Sequence, residues 1–377
     1  MQSPVKYQFE YDRRVACAFI GAGGHSYRNV YPTFQYAPVD LRAVCDLDAS
    51  RAATYARMFG AEGHYSDHRE MLEAERPEAV FVVTSFDRNG RLQSTDIAVD
   101  CLRAGAHVWM EKPTATSSDD VRRLMRVSAE TDRFVMTGMK KAFTPAVEKV
   151  KRIISSAEFG AASSITVRYP QSIPPFEARA DPFASRDFIE HIYHPAAILH
   201  YLMGPMERMT YERDTSTGGS VTAIRFISGA VGMLHLAAGS AESSPLERVE
   251  VIGNGANVVI DNGVRVTYYR AGAELEYGRS ASYIVPDDVA PLRWEPEFSL
   301  GQLYNKNLFF LGYVPEVLHF CECILAGTLP ERGTMLDALH IMNFYETYQR
   351  TPAGIAGRIP SVDESQVSPS SSPLDAE

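Results

Sequence analysis

The sequence predicts an α/β protein with an N-terminal doubly wound parallel sheet and a C-terminal α+β domain that holds a large, open, mostly antiparallel sheet. Three observations lead to this fold class. The apolar run VACAFI (15–20) is closed by the turn GAGG (21–24), as in a strand that enters a helix. Apolar strands and amphipathic helices then alternate as far as residue 138. Beyond residue 160, alternating runs are separated by turns such as GNGA and DNG.

In the N-terminal half, strands and helices follow the rhythm of parallel βαβ units. A second strand ends at Asp46, about 20 residues after the glycine-rich turn. The other predicted strands are 15–20, 79–84, 107–110 and 134–138, and the predicted helices are 49–59, 94–104 and 118–131.

In the C-terminal half, apolar and polar residues alternate, which is typical of strands with one buried face. After a helix at 145–156, the predicted strands are 163–169, 206–213, 220–227, 230–236, 248–252 and 258–269. Helices at 316–326 and 335–350 are expected to pack back on the first domain. We therefore expect an N-terminal extension (1–13), a first domain (14–140), a second domain (141–352) and a mobile tail (353–377).

The composition narrows the classes of function. A chain of 377 residues with 45% hydrophobic and 22% charged residues is long enough for two folded domains. Its formal net charge of -10 argues against a nucleic-acid or anionic-membrane partner. The five cysteines show neither a metal-site spacing nor a disulfide framework, which fits a reducing cytoplasm. No signal-peptide core and no run of about 20 apolar residues is visible, so neither secretion nor a membrane span is expected.

The glycine-rich turn predicts a dinucleotide site. Gly21 would permit a tight turn, Gly23 would let the backbone approach a pyrophosphate, and Gly24 would lead into a helix whose amides face the phosphates. The third glycine of the usual pattern is Ser26, a small residue that still allows close packing of helix on strand.

Asp46 strengthens this interpretation. A carboxylate at the end of the second strand can accept hydrogen bonds from the ribose hydroxyls and would repel a 2′-phosphate, which favours NAD over NADP. Arg51 lies near enough to weaken that preference. The alternative is that the glycines form an ordinary tight turn and that Asp46 is the N-cap of the helix at 49–59.

A second chemical signal, Glu111-Lys112-Pro113, stands where a strand of the sheet ends, at the edge where open α/β sheets bind ligands. Pro113 favours an extended conformation at Lys112, which would direct the ammonium towards a substrate hydroxyl. The alternative is a solvent-exposed lysine that pairs loosely with Glu111.

With these motifs, the chain resembles the Gfo/Idh/MocA oxidoreductases, the family of glucose-fructose oxidoreductase and inositol dehydrogenase. The resemblance rests on GAGG, AVCD, EKP, GMKKAFTPA and HPAAILHYLMG and spans residues 14–352. It implies an NAD(P)-binding Rossmann domain and a C-terminal sheet that commonly forms the oligomer interface. It also implies that Lys112 lies at the reaction centre, that Thr84 and Glu111 contact the cofactor, and that Lys140 or Lys141 supplies a basic side chain near the cleft.

The resemblance assigns His194 as the acid/base, with Glu190 in place of an aspartate four residues earlier. On a helix this spacing puts both side chains on one face, where a carboxylate can orient an imidazole. Two positions depart from the family pattern, Ile192 and Ala197. His191 and His200 are further candidates, and the alternative is that these histidines only pack within the helix.

Two segments have open roles. The proline-rich stretch 172–182 is either a lid or a surface excursion, with Arg179 and Arg186 as candidate substrate contacts. The aromatic interval 294–313, which contains Tyr304 and Phe309, either stacks on a sugar ring or fills the core.

The expected function is NAD-dependent oxidation of a secondary alcohol on a sugar, glycoside or cyclitol, or reduction of the matching ketone. Lys112 would stabilise the oxyanion, His194 would move the proton, and Glu190 would orient His194. One alternative uses bound NAD for a transient oxidation that cleaves a glycoside, and another is a non-catalytic sensor of NAD or sugar. No metal is expected. We expect a homodimer or homotetramer that forms through the C-terminal sheet.

Overall fold

The computed structural model describes residues 11–271, 290–296 and 306–362. Two compact units are present. The first comprises the described residues up to Gly138, Val317–Asn343 and those from Pro360 onwards; the second comprises the described residues of Met139–Glu316 together with Phe344–Ile359. Most of the predicted extension and tail, 1–10 and 363–377, lies outside the described residues.

The first unit is built on a six-stranded sheet in which all the pairs are parallel. Its strands are β1 (Val15–Ile20), β2 (Val39–Cys45), β3 (Gly63–Tyr65), β4 (Ala79–Val82), β5 (His107–Glu111) and β6 (Val135–Gly138). The order β3-β2-β1-β4-β5-β6 confirms the doubly wound sheet and places a topological switch point between β1 and β4.

Four helices connect these strands: α1 (Ala49–Phe59), α2 (His68–Glu75), α3 (Ser94–Arg103) and α4 (Ser118–Thr131). The start of α4 illustrates why the sequence folds this way. The Ser117 side chain accepts from the backbone N–H of Asp120, while Asp119 and Asp120 complement the positive end of the helix dipole. The sequence therefore fixes this helix end locally.

Aromatic side chains form much of the core around β1 and β4. Phe19 stacks on Tyr31 with ring centroids 4.0 Å apart, and its ring centroid lies 5.9 Å from that of Phe81. Phe320 meets Phe81 edge-on at 5.4 Å. Each fully buried ring contributes roughly 1.5–3 kcal/mol of transfer free energy, so this cluster holds β1 rigidly behind the glycine-rich turn.

The second unit contains a nine-stranded mixed sheet in the order β14-β13-β12-β11-β7-β10-β9-β8-β15. Only β7 and β10 pair in parallel among the described pairs, which confirms the predicted open, mostly antiparallel sheet. The elements in chain order are α5 (Pro145–Ile154), β7 (Ser164–Tyr169), α6 (Pro182–Met203), β8 (Met206–Arg213), β9 (Ser220–Phe226), β10 (Val231–Leu236), β11 (Arg248–Ile252), β12 (Asn257–Asp261), β13 (Arg265–Tyr269), β14 (Leu292–Trp294), α7 (Lys306–Phe310), α8 (Tyr313–Ala326), α9 (Met335–Arg350) and β15 (Gly357–Arg358).

One predicted strand, 258–269, is wrong as a single element because it is the hairpin β12–β13. Asn262 and Gly263 both adopt positive φ, at 50° and 68°. They are the central residues of the turn that the N–H of Val264 closes on the carbonyl oxygen of Asp261, and positive φ at both central positions is tolerated best by Asn-Gly. The turn therefore splits the run.

One face of this sheet is exposed. Val231 and Met233 of β10 pair with Arg225 and Ala223 of β9 and share a face with them, and the apolar side chains of Val221, Val231 and Met233 are all exposed. Exposed contiguous apolar surface is typical of an interaction face. No described helix has the length and apolar composition of a bilayer span.

Candidate active site

The glycine-rich turn after β1 has the shape that a dinucleotide needs. Gly21 adopts φ +110°, and a Cβ there would collide with the carbonyl oxygen of Val83, so only glycine fits. A Cβ at Gly23 or Gly24 would meet no atom within 4 Å. The turn is therefore closed against the sheet and open on its outer side, where a backbone cradle can approach a pyrophosphate.

Ser26 explains the departure from the usual third glycine. Its side chain is fully buried, and its Oγ donates to the carbonyl oxygen of Gly21 at 2.8 Å. A helical segment follows the turn as expected, but it is irregular, because a π-helical turn (Ser26–Val30) passes into a 3₁₀ turn (Tyr31–Gln35). Pro32 is the physical reason, since it lacks an N–H and its ring opposes the carbonyl of Arg28 in a regular α-helix.

Asp46 lies at the turn itself. Its Oδ2 accepts from the N–H of Ala22 at 2.8 Å and its Oδ1 accepts from the N–H of Asp48 at 3.0 Å. The N-cap of α1 is Asp48, whose carboxylate accepts from the N–H of Arg51, so the alternative role of Asp46 as that N-cap is wrong. The structure thus holds the Asp46 carboxylate against the cradle, where it fits ribose hydroxyls.

Thr84 follows β4 at the same carboxyl edge of the sheet. Its Oγ1 is buried and has no hydrogen-bond partner among the described residues. A buried hydroxyl without a partner costs free energy unless a ligand or water supplies one. Together with the open cradle, this atom fits the bound dinucleotide predicted for the site.

Glu111 ends β5 at this edge, and Lys112 follows it. Oε2 of Glu111 accepts from the N–H of Lys112 at 2.9 Å, and Oε1 lies 2.8 Å from Nε2 of His25. The alternative of a loose Lys112–Glu111 ion pair is wrong, because Glu111 is engaged by an imidazole and a backbone amide. The Lys112 ammonium has no partner within the described part of the chain, and the Lys112-Pro113 bond is cis.

His25 was not found from the sequence. Asn29 lies 3.2 Å from its Nδ1, and Glu111 lies against its Nε2. An amide N–H of Asn29 that donates to Nδ1 leaves the ring hydrogen on Nε2, where it donates to Glu111. His25 thereby ties the glycine-rich turn to the strand end that carries Lys112; its place directly after GAGG was the available signal.

The predicted acid/base group lies on α6 in the second unit. His194 is buried, with 8% of its surface exposed, and its ring centroid is 5.9 Å from that of Tyr169. Glu190 pairs with Arg186, Nε to Oε1, at 3.1 Å. The α6 helix begins at the N-cap Asp181 and ends at Gly204, which adopts φ +84°.

The neighbouring basic residues are used inside the second unit. Nζ of Lys141 lies 2.6 Å from both carboxylate oxygens of Glu247, so its charge is already paired. Nζ of Lys140 donates to the hydroxyl of Tyr313 at 2.9 Å. The Lys141 charge is therefore balanced by Glu247 within the second unit.

The proline-rich stretch is anchored by Arg179. This residue is only 4% exposed, and its guanidinium donates to the carbonyl oxygens of Pro174 at 2.9 Å and Tyr348 at 2.6 Å. The expectation that Arg179 contacts substrate is wrong, since its donors hold the segment in place. In the aromatic interval, Trp294 packs under Nζ of Lys149 at 4.2 Å, and Tyr304 lies outside the described residues.

The structure thus gathers one group of predicted residues in the first unit and another in the second. The group of the first unit, at the carboxyl edge of the parallel sheet, is Gly21, Gly23, Gly24, Asp46, Thr84, Glu111 and Lys112. The second group, Glu190 and His194, shares α6. Among the described residues, no set of three or more His, Cys, Asp or Glu side chains is arranged to hold a metal ion.

Comparison with known proteins agrees with the Rossmann-type sheet of the first unit. Residues 15–139 match the profile of the GFO_IDH_MocA family, described as an oxidoreductase family with an NAD-binding Rossmann fold. The scyllo-inositol 2-dehydrogenase (NAD(+)) of Bacillus subtilis (strain 168) is 25% identical over 337 residues, which cover 85% of this chain and 89% of that enzyme. The myo-inositol 2-dehydrogenase of Thermotoga maritima is 24% identical over 235 residues, covering 59% and 68% respectively.

A solved structure shares the fold. An oxidoreductase from Agrobacterium radiobacter, crystallised with NAD+, L-tartaric acid and magnesium, superposes with a TM-score of 0.72 at 15% identity, covering 92% of this chain and 98% of that one. The parallel sheet, the glycine-rich turn and these matches define an oxidoreductase with a Rossmann domain. These matches confirm the resemblance to the Gfo/Idh/MocA oxidoreductases seen in its motifs.

Proposed function

We propose that the chain is an NAD-dependent dehydrogenase that oxidises a secondary alcohol of a cyclitol, sugar or glycoside, or reduces the matching ketone. The observation that carries this proposal is that the open glycine cradle, Asp46 and Lys112 lie at one edge of the parallel sheet, where the Lys112 ammonium has no partner among the described residues. The inositol dehydrogenases among its relatives supply the polyol class of substrate.

NAD bound in the cradle would accept the hydride from the carbinol carbon. Lys112 would donate a hydrogen bond to the substrate oxygen and stabilise the alkoxide that develops there. His194 would take the hydroxyl proton. Glu190 would act on His194 across one helical turn, alongside its ion pair with Arg186.

NAD rather than NADP is the proposed cofactor because the Asp46 carboxylate would repel a 2′-phosphate. Arg51 does not reverse this preference, since its Nη2 lies 3.4 Å from Asp46 and is shared with that carboxylate. Residues 14–140 are the proposed cofactor domain and 141–352 the proposed substrate domain.

A homodimer or homotetramer through the exposed face of the second sheet is part of the same proposal. Val221, Val231 and Met233 are solvent-exposed on that face, and pairing it with a second copy would remove apolar surface from water. A cytoplasmic location is also proposed, since all five cysteines are free thiols.

The test is NADH absorbance across a panel of cyclitols, free sugars and glycosides, run for the wild type, Lys112→Ala and Lys149→Ala. Lys149 is the matched control because its ammonium lies over Trp294 in the second unit. Substrate-dependent NADH from the wild type and Lys149→Ala, with loss of at least about 100-fold in Lys112→Ala, supports the proposal.

Two results would replace the proposal. Glycoside cleavage without net NADH would assign the NAD-assisted hydrolase or lyase. Tight NAD binding with neither turnover nor cleavage would assign the sensor. Repeating the panel with NADP tests the cofactor preference.

A further inference from the structure

Helix α6 carries two carboxylate–imidazole pairs at the same spacing, Glu190–His194 and Asp187–His191. The first pair is the proposed acid/base with its orienting carboxylate. In the structure, however, Glu190 pairs with Arg186, whereas Asp187 contacts His191 directly. The second pair therefore has the geometry of an oriented imidazole.

The contacts of His191 fix its tautomer. Nδ1 lies 2.9 Å from the carbonyl oxygen of Asp187 and 3.2 Å from the carboxylate Oδ1 of the same residue. A carbonyl oxygen only accepts, so Nδ1 carries the ring hydrogen. The lone pair then lies on Nε2, which has no partner among the residues described. In this tautomer Nε2 of His191 can accept a proton, and the Asp187 carboxylate at Nδ1 is the arrangement that stabilises an imidazolium.

The two histidines differ in access to solvent. His194 is 8% exposed, whereas the side chain of His191 is 43% exposed. Their ring centroids are 6.4 Å apart, as expected for residues three positions apart on one helix face. That separation suits a direct contact after a small rotation, or one bridging water.

Resting on the proposed function, we propose that His191 is a proton shuttle between His194 and solvent. Oxidation of a secondary alcohol breaks one C–H and one O–H bond, and NAD takes only the hydride. The O–H proton passes to His194, then to Nε2 of His191, and then to water or buffer; His194 regains its lone pair for the next turnover. Asp187 stabilises the positive charge while the proton rests on His191. In ketone reduction the proton runs the other way.

A purely structural role makes a different prediction. An exposed i,i+4 contact such as Asp187–His191 stabilises a helix by about 0.3–0.5 kcal/mol, and its loss would not make turnover depend on buffer. Alanine is a better helix former than histidine, so His191→Ala is expected to keep α6 folded.

The test is NADH formation by His191→Ala in dilute and in imidazole-rich buffer, with His64→Ala as control for loss of an exposed imidazole on β3. In dilute buffer, the steady-state rate of His191→Ala is expected to fall at least about 10-fold, while the first turnover stays within about 2-fold of wild type. Imidazole is expected to restore the steady-state rate, because it replaces the missing shuttle.

A readout without turnover accompanies this test. Diethylpyrocarbonate is expected to modify His191 faster than His194 in the cofactor-free chain, as followed by mass spectrometry. Wild-type rates for His191→Ala in dilute buffer, a loss that imidazole does not restore, or faster modification of His194 would each overturn the shuttle. If the wild type forms no NADH from any polyol, the proposed function is overturned instead. This result comes from the wild type alone and is therefore distinct from a failure of the shuttle.

Discussion

Replacing Asp46 by Asn is expected to lower the affinity for NAD about 10- to 100-fold. The carboxylate is held by the N–H of Ala22 at 2.8 Å, so its remaining lone pairs are fixed in place for ribose hydroxyls. A hydrogen bond to a charged group contributes about 1.5–3 kcal/mol, and each 1.4 kcal/mol is a factor of ten in the dissociation constant. Loss of one such bond gives the stated range. The affinity for NADP is expected to rise, because the repulsion of its 2′-phosphate is removed.

The assay is calorimetric titration of NAD and NADP into Asp46→Asn, with Asp48→Asn as a matched control. Asp48 is also a carboxylate near Arg51, but it caps α1 by accepting from the Arg51 N–H at 3.1 Å. Asparagine caps a helix about as well as aspartate, so Asp48→Asn is expected to keep the stability of the wild type and to leave the NAD affinity within about 2-fold. Equal losses of NAD affinity in both variants, or none in Asp46→Asn, would show that the Asp46 carboxylate does not bind the ribose.

Three further predictions follow from the first unit. Gly21→Ala is expected to lower the melting temperature and to abolish NAD binding, because its Cβ collides with the backbone. Gly24→Ala is expected to keep the melting temperature of the wild type. Scanning fluorimetry measures the melting temperature of both variants. His25→Ala is expected to lower kcat about 10-fold, and His25→Gln, which keeps a donor for Glu111, to restore most of it. Burial lowers the pKa of His107 to about 4, so the folded state favours the neutral ring. The free energy of unfolding is therefore expected to fall by up to about 1.4 kcal/mol per unit as the pH drops from about 6.5 to 4, as measured by urea unfolding.

A different result would contradict each of these three predictions. A Gly21→Ala chain that melts and binds NAD as the wild type does would show that the turn tolerates a side chain. Equal kcat values for His25→Ala and the wild type would show that His25 does not position Lys112. For His107, a His107→Asn variant with the same pH dependence as the wild type would assign that dependence to other groups.

Local signals explain why much of the fold was predictable. Helix α4 runs from Ser118 to Thr131 as predicted, because Ser117 caps its start and Asp132 adopts a left-handed conformation at its end. Strand β1 was fixed by its apolar run and by the glycines that close it. Such boundaries depend on neighbours in the sequence, so the sequence alone carries them.

The sequence-based predictions failed where the structure depends on a local backbone conformation or on residues distant in the sequence. The interruption of the helix after GAGG depends on Pro32, and the split of 258–269 depends on positive φ at Asn262 and Gly263. In the site, the His25–Glu111 contact joins residues 86 positions apart, and the Lys141–Glu247 pair joins residues 106 apart. No spacing rule along the chain reports such contacts.

The most direct test of the central claim is hydride transfer itself. The protein would be incubated with NAD and a cyclitol that carries deuterium on its carbinol carbons. The mass of the reduced cofactor would then be measured by mass spectrometry. NADH is expected to gain one deuterium in the wild type, and Lys112→Ala is expected to form little of it. Unlabelled NADH, or none from any labelled polyol, would contradict the assignment of this site to polyol oxidation.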